Sequence, residues 1–317
     1  QYYRDVPPDD VDGRDPDQLY GAVASLLAFA RQRQPGAPKI RGFTPRIEQH
    51  GWQSDHTVVE IINDDMPFLV DSVTAALSMQ DAQILMVIHP VMHIRRDATG
   101  ELFDVLEPDA DLHGEVLDGM VTESVMHIEI TEISDPARLQ AIHRDLEGVL
   151  SENRAAVEDW ELVRGKVAQA LDDIAATEAG LAVEDAGEVH EFLSWLLDNH
   201  FTLLGYRNHV FDHHSTPDAA DGAGGQWTVS VSDGLGILRD ESQLVFDELR
   251  NLSGLPADVT AFLSRPTFLL ITKANRRARV HRSSRGSTVA SATTVWATAC
   301  CLAPRHYNTF NTPRRAL

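Results

Sequence analysis

The spacing of apolar residues over residues 45–155 switches between the two-residue period of a strand and the 3.6-residue period of a helix. Residues 56–62 are β-branched and alternating, which predicts a strand, whereas Leu69, Val73 and Leu77 recur on one helical face. The predicted elements, in order, are a strand at 56–62, a helix at 67–79, strands at 84–95, 101–106 and 124–130, and a helix from 136 to about 149. This β-α-β-β-β-α order predicts an α+β fold, a ferredoxin-like sandwich of one sheet and two helices.

Similar patterns divide the rest of the chain. A helix at 16–33 and a strand at 39–43 make up an N-terminal segment, residues 1–44. Apolar stripes predict connecting helices over 156–187. From residue 188 the pattern leads into strands at 202–211, 227–231 and 267–272. Residues 188–282 therefore predict a second module like the first one, but incomplete.

The charge is unevenly distributed along the chain. The formal net charge is −21, the last acidic residue is Asp258, and ten Lys or Arg residues follow it. Beyond about Arg282 the periodicity stops, and Ser, Ala, Thr and Arg dominate. Three interpretations of residues 283–317 stay open: a basic arm for nucleic acid, a disordered tail, or an aberrant stretch read in a shifted frame.

The composition also bears on partners and on cellular location. The part of the chain up to Asp258 is so acidic that it repels the phosphate backbone of nucleic acids, so we expect no nucleic-acid partner. The apolar runs are far shorter than the roughly 20 residues that span a bilayer, so no membrane contact is expected. The chain starts without the pattern of a signal peptide, and its two cysteines are adjacent, at Cys300 and Cys301. We therefore expect a cytoplasmic protein.

No complete catalytic site emerges from the motifs. The glycines at 222–225 do not connect a strand to a helix as a dinucleotide site requires. Neither the His213–His214 pair, nor His89 with His93, nor the two cysteines has the spacing of a metal site, so no metal is expected. His127, which alternates with apolar neighbours, is interpreted as a histidine satisfied within the sheet.

Residues 63–72 are the candidate functional segment, because several carboxylates lie close together at a strand-to-helix turn. One interpretation is that they cap the helix and meet its dipole. The other is a contact loop for a small ligand or a subunit, in which free N–H groups take a carboxylate and the Asp residues an ammonium, as an amino acid offers. The candidate residues are Asp64, Asp65, Met66, Pro67, Phe68, Asp71 and Ser72.

These residues, with others, resemble the amino-terminal region of the large NAD-specific glutamate dehydrogenases of bacteria. The resemblance covers residues 1–282, in matching order and spacing. The segments that carry it are GWQSDHTVVE at 51–60, NDDMPFLVDS at 63–72, HP at 89–90, ES at 123–124, NHFTLLGY at 199–206, ITKA at 271–274 and VHR at 280–282. After residue 282 the chain departs from the family's pattern, which favours a frame shift or a truncation.

The resemblance implies ACT-like modules, at 45–155 and 188–282, in a regulatory and oligomer-forming part of a longer enzyme. That enzyme would oxidise L-glutamate to 2-oxoglutarate and ammonia with NAD, in a domain further along. It implies self-association, an amino-acid effector, no cofactor in this part and no activity of this part alone. Two alternatives stay open: a free-standing amino-acid-binding module, and an enzyme that uses the clustered carboxylates for acid–base chemistry.

Overall fold

The computed structural model describes residues 2–4, 6–106, 119–176, 183–200, 202–215, 225–239, 269–272 and 292–298. The chain divides into two compact units, Gln1–Asn153 and Arg154–Leu317. Within the described ranges, no helix is both long and apolar enough to cross a bilayer.

The first unit consists of one antiparallel sheet with helices on both faces. Its helices are α1 (Pro8–Val11), α2 (Pro16–Ala30), α3 (Ile47–His50), α4 (Leu69–Met79) and most of α5 (Pro136–Glu158). Its strands are β1 (Lys39–Phe43), β2 (Thr57–Asp64), β3 (Ile84–Ile88), β4 (Val91–Arg96), β5 (Leu102–Val105) and β6 (Met120–Ile130).

The long strand β6 organises this sheet. It pairs with β2 along one side, and with β3 and then β4 along the other, and the strand order is β1-β2-β6-β4-β5. In the β2–β6 register, Val58 lies opposite Glu129 and Glu60 opposite His127. Because residues opposite each other in antiparallel strands point to the same face, this register decides which side chains meet.

One face of the sheet carries the main apolar core. Val59 and Ile61 of β2 and Met126 and Ile128 of β6 are at most 1% exposed, and they pack against α4 and α5. The helices contribute the apolar positions that the 3.6-residue pattern predicts: Leu69, Val73, Ala76 and Leu77 from α4, and Ile142, Leu146, Val149 and Leu150 from α5. Burial of these side chains stabilises the sandwich of one sheet and two helices.

The opposite face of the sheet is covered by α2. Leu26 and Ala30 of α2 pack against Ile62, Ile88 and Val125 of the sheet. Asp15 caps this helix, since its side chain accepts a hydrogen bond from the Asp17 N–H, and Pro16 follows as the first helical residue. Helix α2 therefore forms a third layer, which the prediction of two helices on one sheet did not include.

The predicted α+β, ferredoxin-like class is confirmed, with some differences in the elements. The predicted strand at 84–95 is two strands, separated at His89 and Pro90, because proline has no N–H to donate to the ladder. In the turn between β4 and β5, Asp97 Oδ1 accepts hydrogen bonds from the Thr99 and Glu101 N–H groups.

The second unit has helices α6 (Trp160–Ala176) and α7 (Val183–Trp195), with a π-helical turn at Leu196–His200. Its strands β7 (Thr202–Ser215), β8 (Gly225–Gly236), β9 (Leu269–Thr272) and β10 (Ala292–Thr298) form a sheet in the order β8-β7-β10-β9. The core includes Val163, Val167, Leu193, Leu196, Leu203 and Tyr206. That this unit repeats the first module stays a prediction. The shifted reading frame of residues 283–317, a range that includes β10, also stays a prediction.

Candidate functional site

The predicted contact loop lies where β2 ends and α4 begins. Asp64, the last residue of β2, accepts hydrogen bonds from the Arg33 guanidinium and, at 2.8 Å, from the Gly36 N–H. Its carboxylate thus anchors the chain that leads from α2 to β1. Among the predicted site residues, Asp64 has a structural role that accounts for its charge.

The other acidic residues of the loop face outward. Asp65 and Asp71 are exposed, while Met66 packs against the core beneath α4. The Asp65 N–H donates to the Thr122 carbonyl at 3.0 Å, and the Ser72 N–H donates to the Phe68 carbonyl at 2.9 Å in the first turn of α4. The fold therefore presents two carboxylates, from Asp65 and Asp71, on a well-anchored turn.

The start of α4 differs from the capping interpretation. Phe68 occupies the N-cap position with a φ of 67°, a left-handed conformation that is uncommon for a residue other than glycine, and no side chain caps the helix. Asn153 supports the strained turn by donating from Nδ2 to the Pro67 carbonyl at 3.0 Å. Backbone strain that the surroundings hold in place is a feature of contact and ligand sites, which motivates a functional hypothesis for this loop.

A cavity of about 300 Å³ lies at the other end of β2, on the face covered by α2. Its lining residue His127 lies opposite Glu60 of β2, four residues before Asp64, so at about 3.3 Å per residue roughly 13 Å of strand separates this part of the wall from the contact loop. Its apolar wall includes Tyr3, Leu19, Trp52, Met86 and Ile88. Its polar wall includes Asp10, Arg14, Asp55, His56, His127 and Glu129.

Glu129 organises the polar wall. It is 2% exposed and binds the Arg14 guanidinium through both oxygens, at 2.6 and 3.1 Å. His56 Nδ1 lies 3.3 Å from Glu129 Oε2, and His127 Nε2 lies 3.9 Å from Oε1. A buried carboxylate needs such partners, because an unpaired charge in a protein interior is very costly.

The partners also change the protonation of the cluster. Burial raises the pKa of the Glu129 carboxyl, but hydrogen bonds with His127 and Arg14 outweigh it and hold the pKa at about 2. Burial lowers the pKa of His127, yet the hydrogen bonds with Glu129 and Glu60 outweigh that effect and raise it. The floor of the cavity therefore holds a carboxylate paired with an arginine and a histidine, and the Glu129 carboxylate favours the charged form of both partners.

The row of buried charges continues along the sheet under α2. His127 Nδ1 lies 3.1 Å from Glu60 Oε1, and Arg41 donates from Nε to Glu60 Oε2 at 2.6 Å. His127 is thus a histidine satisfied within the sheet, as its alternation with apolar residues predicts. Further along β6, Glu123 is held between two buried arginines, Arg33 and Arg96.

Sequence reasoning missed this cluster as a site. Its signal is the alternation of Glu123, Val125, His127 and Glu129 along β6, which is also the pattern of a half-exposed strand. The arginines that compensate these carboxylates come from distant parts of the chain, at positions 14, 33, 41 and 96. Spacing along the chain does not show that α2 closes over this face.

The histidines at 89 and 93 have ordinary sheet partners. His89 Nε2 lies 2.5 Å from Ser124 Oγ, and His93 Nδ1 lies 3.1 Å from Thr122 Oγ1. In the described ranges, no group of three His, Cys, Asp or Glu side chains could hold a metal ion. The side chains of His213 and His214, and both cysteines, lie outside the described residues.

The Glu129 cluster makes the stability of the first unit depend on acid pH. The ordinary pKa of a glutamate is 4.5 and that of Glu129 is about 2, so the cluster contributes fully above pH 4.5 and the contribution is lost as pH falls through 2. The shift corresponds to about 3 kcal/mol. Urea unfolding at pH 6 should show Glu129→Gln less stable than the wild type by on the order of 2–3 kcal/mol, and near pH 2 by much less. A difference independent of pH would contradict the assignment.

The antiparallel sheet, with α4 and α5 on one face, defines this class of protein: the first unit is an ACT-like α+β module. Residues 1–146 match the model of the ACT1 domain of glutamate dehydrogenase.

Comparison with curated proteins extends the match beyond the domain. The chain is 33% identical over 283 residues to the NAD-specific glutamate dehydrogenase of Halomonas elongata and 32% identical over 283 residues to that of Pseudomonas aeruginosa; each comparison covers 89% of this chain. It is 27% identical over 150 residues, 47% of the chain, to the Mycobacterium tuberculosis enzyme. The matched segment is only 17%, 16% and 9% of these proteins, so the chain spans less than a fifth of their length. The resemblance predicted from the sequence is confirmed.

Proposed function

We propose that this chain is the regulatory and oligomer-forming N-terminal part of an NAD-dependent glutamate dehydrogenase. The whole enzyme would oxidise L-glutamate to 2-oxoglutarate and ammonia, with NAD bound in a domain beyond the matched segment. The observation that carries the proposal is the 33% identity over 89% of the chain to a segment that is only 17% of such an enzyme. The proposed location is the cytoplasm.

The loop at residues 64–72 is the proposed contact for a second subunit or an amino-acid effector. Two features support it: Asp65 and Asp71 are exposed, and the turn before α4 is strained at Phe68 and held by Asn153. An exposed carboxylate can pair with a lysine or arginine of a neighbouring subunit, or with the ammonium of an amino acid. Asp64 is occupied by Arg33 and has a supporting role in this proposal.

A direct assay tests whether this part is catalytic. The purified chain, supplied with L-glutamate and NAD, is expected to form no NADH, because in the proposed enzyme the reaction takes place in another domain. The Halomonas elongata enzyme is the positive control. NADH formation that scales with the concentration of the chain, and that falls in an Asp64→Asn/Asp65→Asn/Asp71→Asn variant, would overturn the proposal in favour of an enzyme that uses the clustered carboxylates.

A free-standing amino-acid-binding module is the second candidate, and the turn before α4 favours it. No side chain of the N-cap residue Phe68 caps α4, so the N-terminal N–H groups of the helix could donate hydrogen bonds to a ligand carboxylate. Titration calorimetry of the chain with the common amino acids distinguishes the two candidates. Tight binding by a chain that stays monomeric supports the free-standing module, whereas self-association supports the enzyme part.

A further inference from the structure

The two faces of the first sheet present different kinds of side chain. Towards α4 and α5, the central strands β2 and β6 present apolar residues that are at most 1% exposed: Val59, Ile61, Met126, Ile128 and Ile130. Towards α2, the same two strands bury four ionisable residues among apolar ones, all at most 2% exposed: Glu60, Glu123, His127 and Glu129. Removal of α2 would therefore return charged groups to water, whereas removal of α4 or α5 would expose hydrocarbon.

Most of these charges have partners that do not belong to α2. Two carboxylate–arginine pairs lie within the sheet itself: Glu60 with Arg41 of β1, and Glu123 with Arg96 of β4. Glu129 instead pairs with Arg14, which lies between α1 and α2, and it is also close to His56 and His127. Because a buried carboxylate needs a compensating charge, this distribution leaves the sheet largely compensated even when α2 is away from it.

The chain that follows α2 is attached to the sheet by hydrogen bonds of its own. The Arg33 N–H donates to the Gly100 carbonyl at 3.0 Å, and the Leu102 N–H donates to the Arg31 carbonyl at 2.7 Å. These bonds to the β4–β5 turn hold residues 31–33 independently of the helix. A change of backbone angles where α2 ends is therefore enough to swing the helix away from the sheet.

The packing under α2 is uneven. Leu26 and Ala30, in its carboxyl-terminal half, pack against apolar residues of the sheet. The cavity of about 300 Å³ lies under the amino-terminal half, where its wall includes Gln18, Leu19 and Ala22. Because protein interiors are close-packed, a cavity of this size means missing dispersion contacts. The helix is therefore held to the sheet less firmly than a fully packed one.

We propose that α1 and α2 (Pro8–Ala30) form a strap that opens as one unit about the end of α2, while the rest of the first unit stays folded. Opening breaks the bonds between Arg14 and Glu129 and the contacts of Leu26, and it gives water access to the buried charges of the sheet. A segment attached in this way opens at a lower free energy than the whole unit unfolds. The strap is a conformational device of the fold, and it does not depend on the proposed function.

Native-state hydrogen exchange of the full chain, followed by mass spectrometry at increasing urea concentrations below the unfolding transition, tests the strap. We expect the amides of α2 to be protected at least roughly tenfold less than those of α4 and α5. Their exchange should depend only weakly on urea, because opening the strap exposes much less surface than unfolding the unit. Equal protection and equal urea dependence for α2 and α4 would mean that they open together, and would overturn the proposal.

Leu77→Ala, in the core on the other face of the sheet, distinguishes a separate strap from a single cooperative unit. It should lower the protection of the α4 and α5 amides at least roughly tenfold. The protection of α2 should stay unchanged, because the closed and the strap-open forms both contain the contacts of Leu77 and lose them equally. A parallel fall in α2 would refute the strap. If Leu77→Ala does not fold, Ile142→Val, which removes one methyl group from the same core, gives the same comparison with a smaller fall.

Arg14→Gln tests the attachment of the strap, with Arg31→Gln as the matched control. Arg14 pairs with the buried Glu129, whereas Arg31 pairs with the exposed Glu101 beyond the end of α2. We expect Arg14→Gln to lower the protection along the whole of α2 severalfold, including the turn around Leu26, and Arg31→Gln to leave it unchanged. An effect of Arg14→Gln confined to the first turn would indicate fraying of the helix end, and equal effects of the two variants would indicate a general effect of charge; either result contradicts the strap.

The strap and the proposed function fail separately. Neither the NADH assay nor the self-association of the chain depends on whether α2 opens on its own. A chain in which α2 and α4 exchange together can still be an assembly-forming part of a larger enzyme.

Discussion

Glu123→Ala is expected to destabilise the first unit by about 3–5 kcal/mol, the largest effect of any single substitution discussed. Glu123 is 1% exposed and accepts hydrogen bonds from Arg33 Nε at 2.7 Å and from Arg96 Nε and Nη2 at 2.8 and 2.9 Å. Its removal leaves the charge of Arg96 buried without a carboxylate, although Arg33 keeps its pair with Asp64.

The backbone adds to this cost, because Arg96 connects three parts of the fold. It donates to the Ala30 carbonyl at the end of α2 and to the Gly100 carbonyl in the β4–β5 turn, both at 2.9 Å. A guanidinium released from Glu123 cannot leave this position without breaking these bonds. The penalty is therefore an uncompensated buried charge if Arg96 stays in place, or lost contacts between α2 and the sheet if Arg96 moves out to solvent.

Urea denaturation followed by far-UV circular dichroism measures this effect, with Glu101→Ala as the matched control. Glu101 also pairs with an arginine, Arg31, but the two side chains are 43% and 74% exposed. An exposed pair contributes at most about 1 kcal/mol. Equal losses in the two variants would contradict the account of a buried, compensated row of charges beneath α2.

The second large effect is expected for Leu77→Ala in α4. Leu77 is fully buried in the core between the sheet, α4 and α5, and its truncation leaves a cavity that the packed helices close only in part. Substitutions of this kind cost about 2–5 kcal/mol. The same urea experiment should show the loss as a lower transition midpoint with an unchanged slope.

Met79→Ala provides the control on the same helix. Met79 lies two residues further along α4 and is 36% exposed, so its truncation removes less buried surface than that of Leu77 and leaves a site open to solvent. We expect a clearly smaller loss, of about 1 kcal/mol. A loss at Met79 as large as that at Leu77 would mean that the outer side of α4 is covered, for example by a second subunit.

The elements that depend on local pattern were predictable. The strand at 39–43 has the predicted bounds, and the helix beginning at Pro16 starts where Asp15 and Pro16 signal it. Pro90 breaks the predicted strand at 84–95 in two, and its missing N–H is visible in the sequence.

The role of α2 was not predictable in the same way. Its apolar stripe predicts a helix that packs on something, but not that it covers the second face of the sheet. That contact depends on arginines at positions 14, 33, 41 and 96 meeting carboxylates that lie up to 115 residues away. Alternating polar positions on β6 are typical of a solvated face until those partners are seen.

The candidate loop at residues 64–72 was partly predictable. Its position at a strand-to-helix turn is confirmed by the ends of β2 and the start of α4. The pairing of Asp64 with Arg33 and the left-handed conformation of Phe68 are consequences of tertiary structure. The cavity could not be predicted, because its wall combines residues 3–19, 52–56, 86–88 and 127–129.

Sedimentation velocity of the purified chain over a range of concentrations tests the central claim, an assembly-forming part of a larger enzyme, most directly. The account predicts association into dimers or larger species, which an Asp65→Lys/Asp71→Lys variant weakens at least tenfold while Asp104→Lys, at an exposed position on β5, does not. A folded chain that stays monomeric at every concentration would contradict the claim.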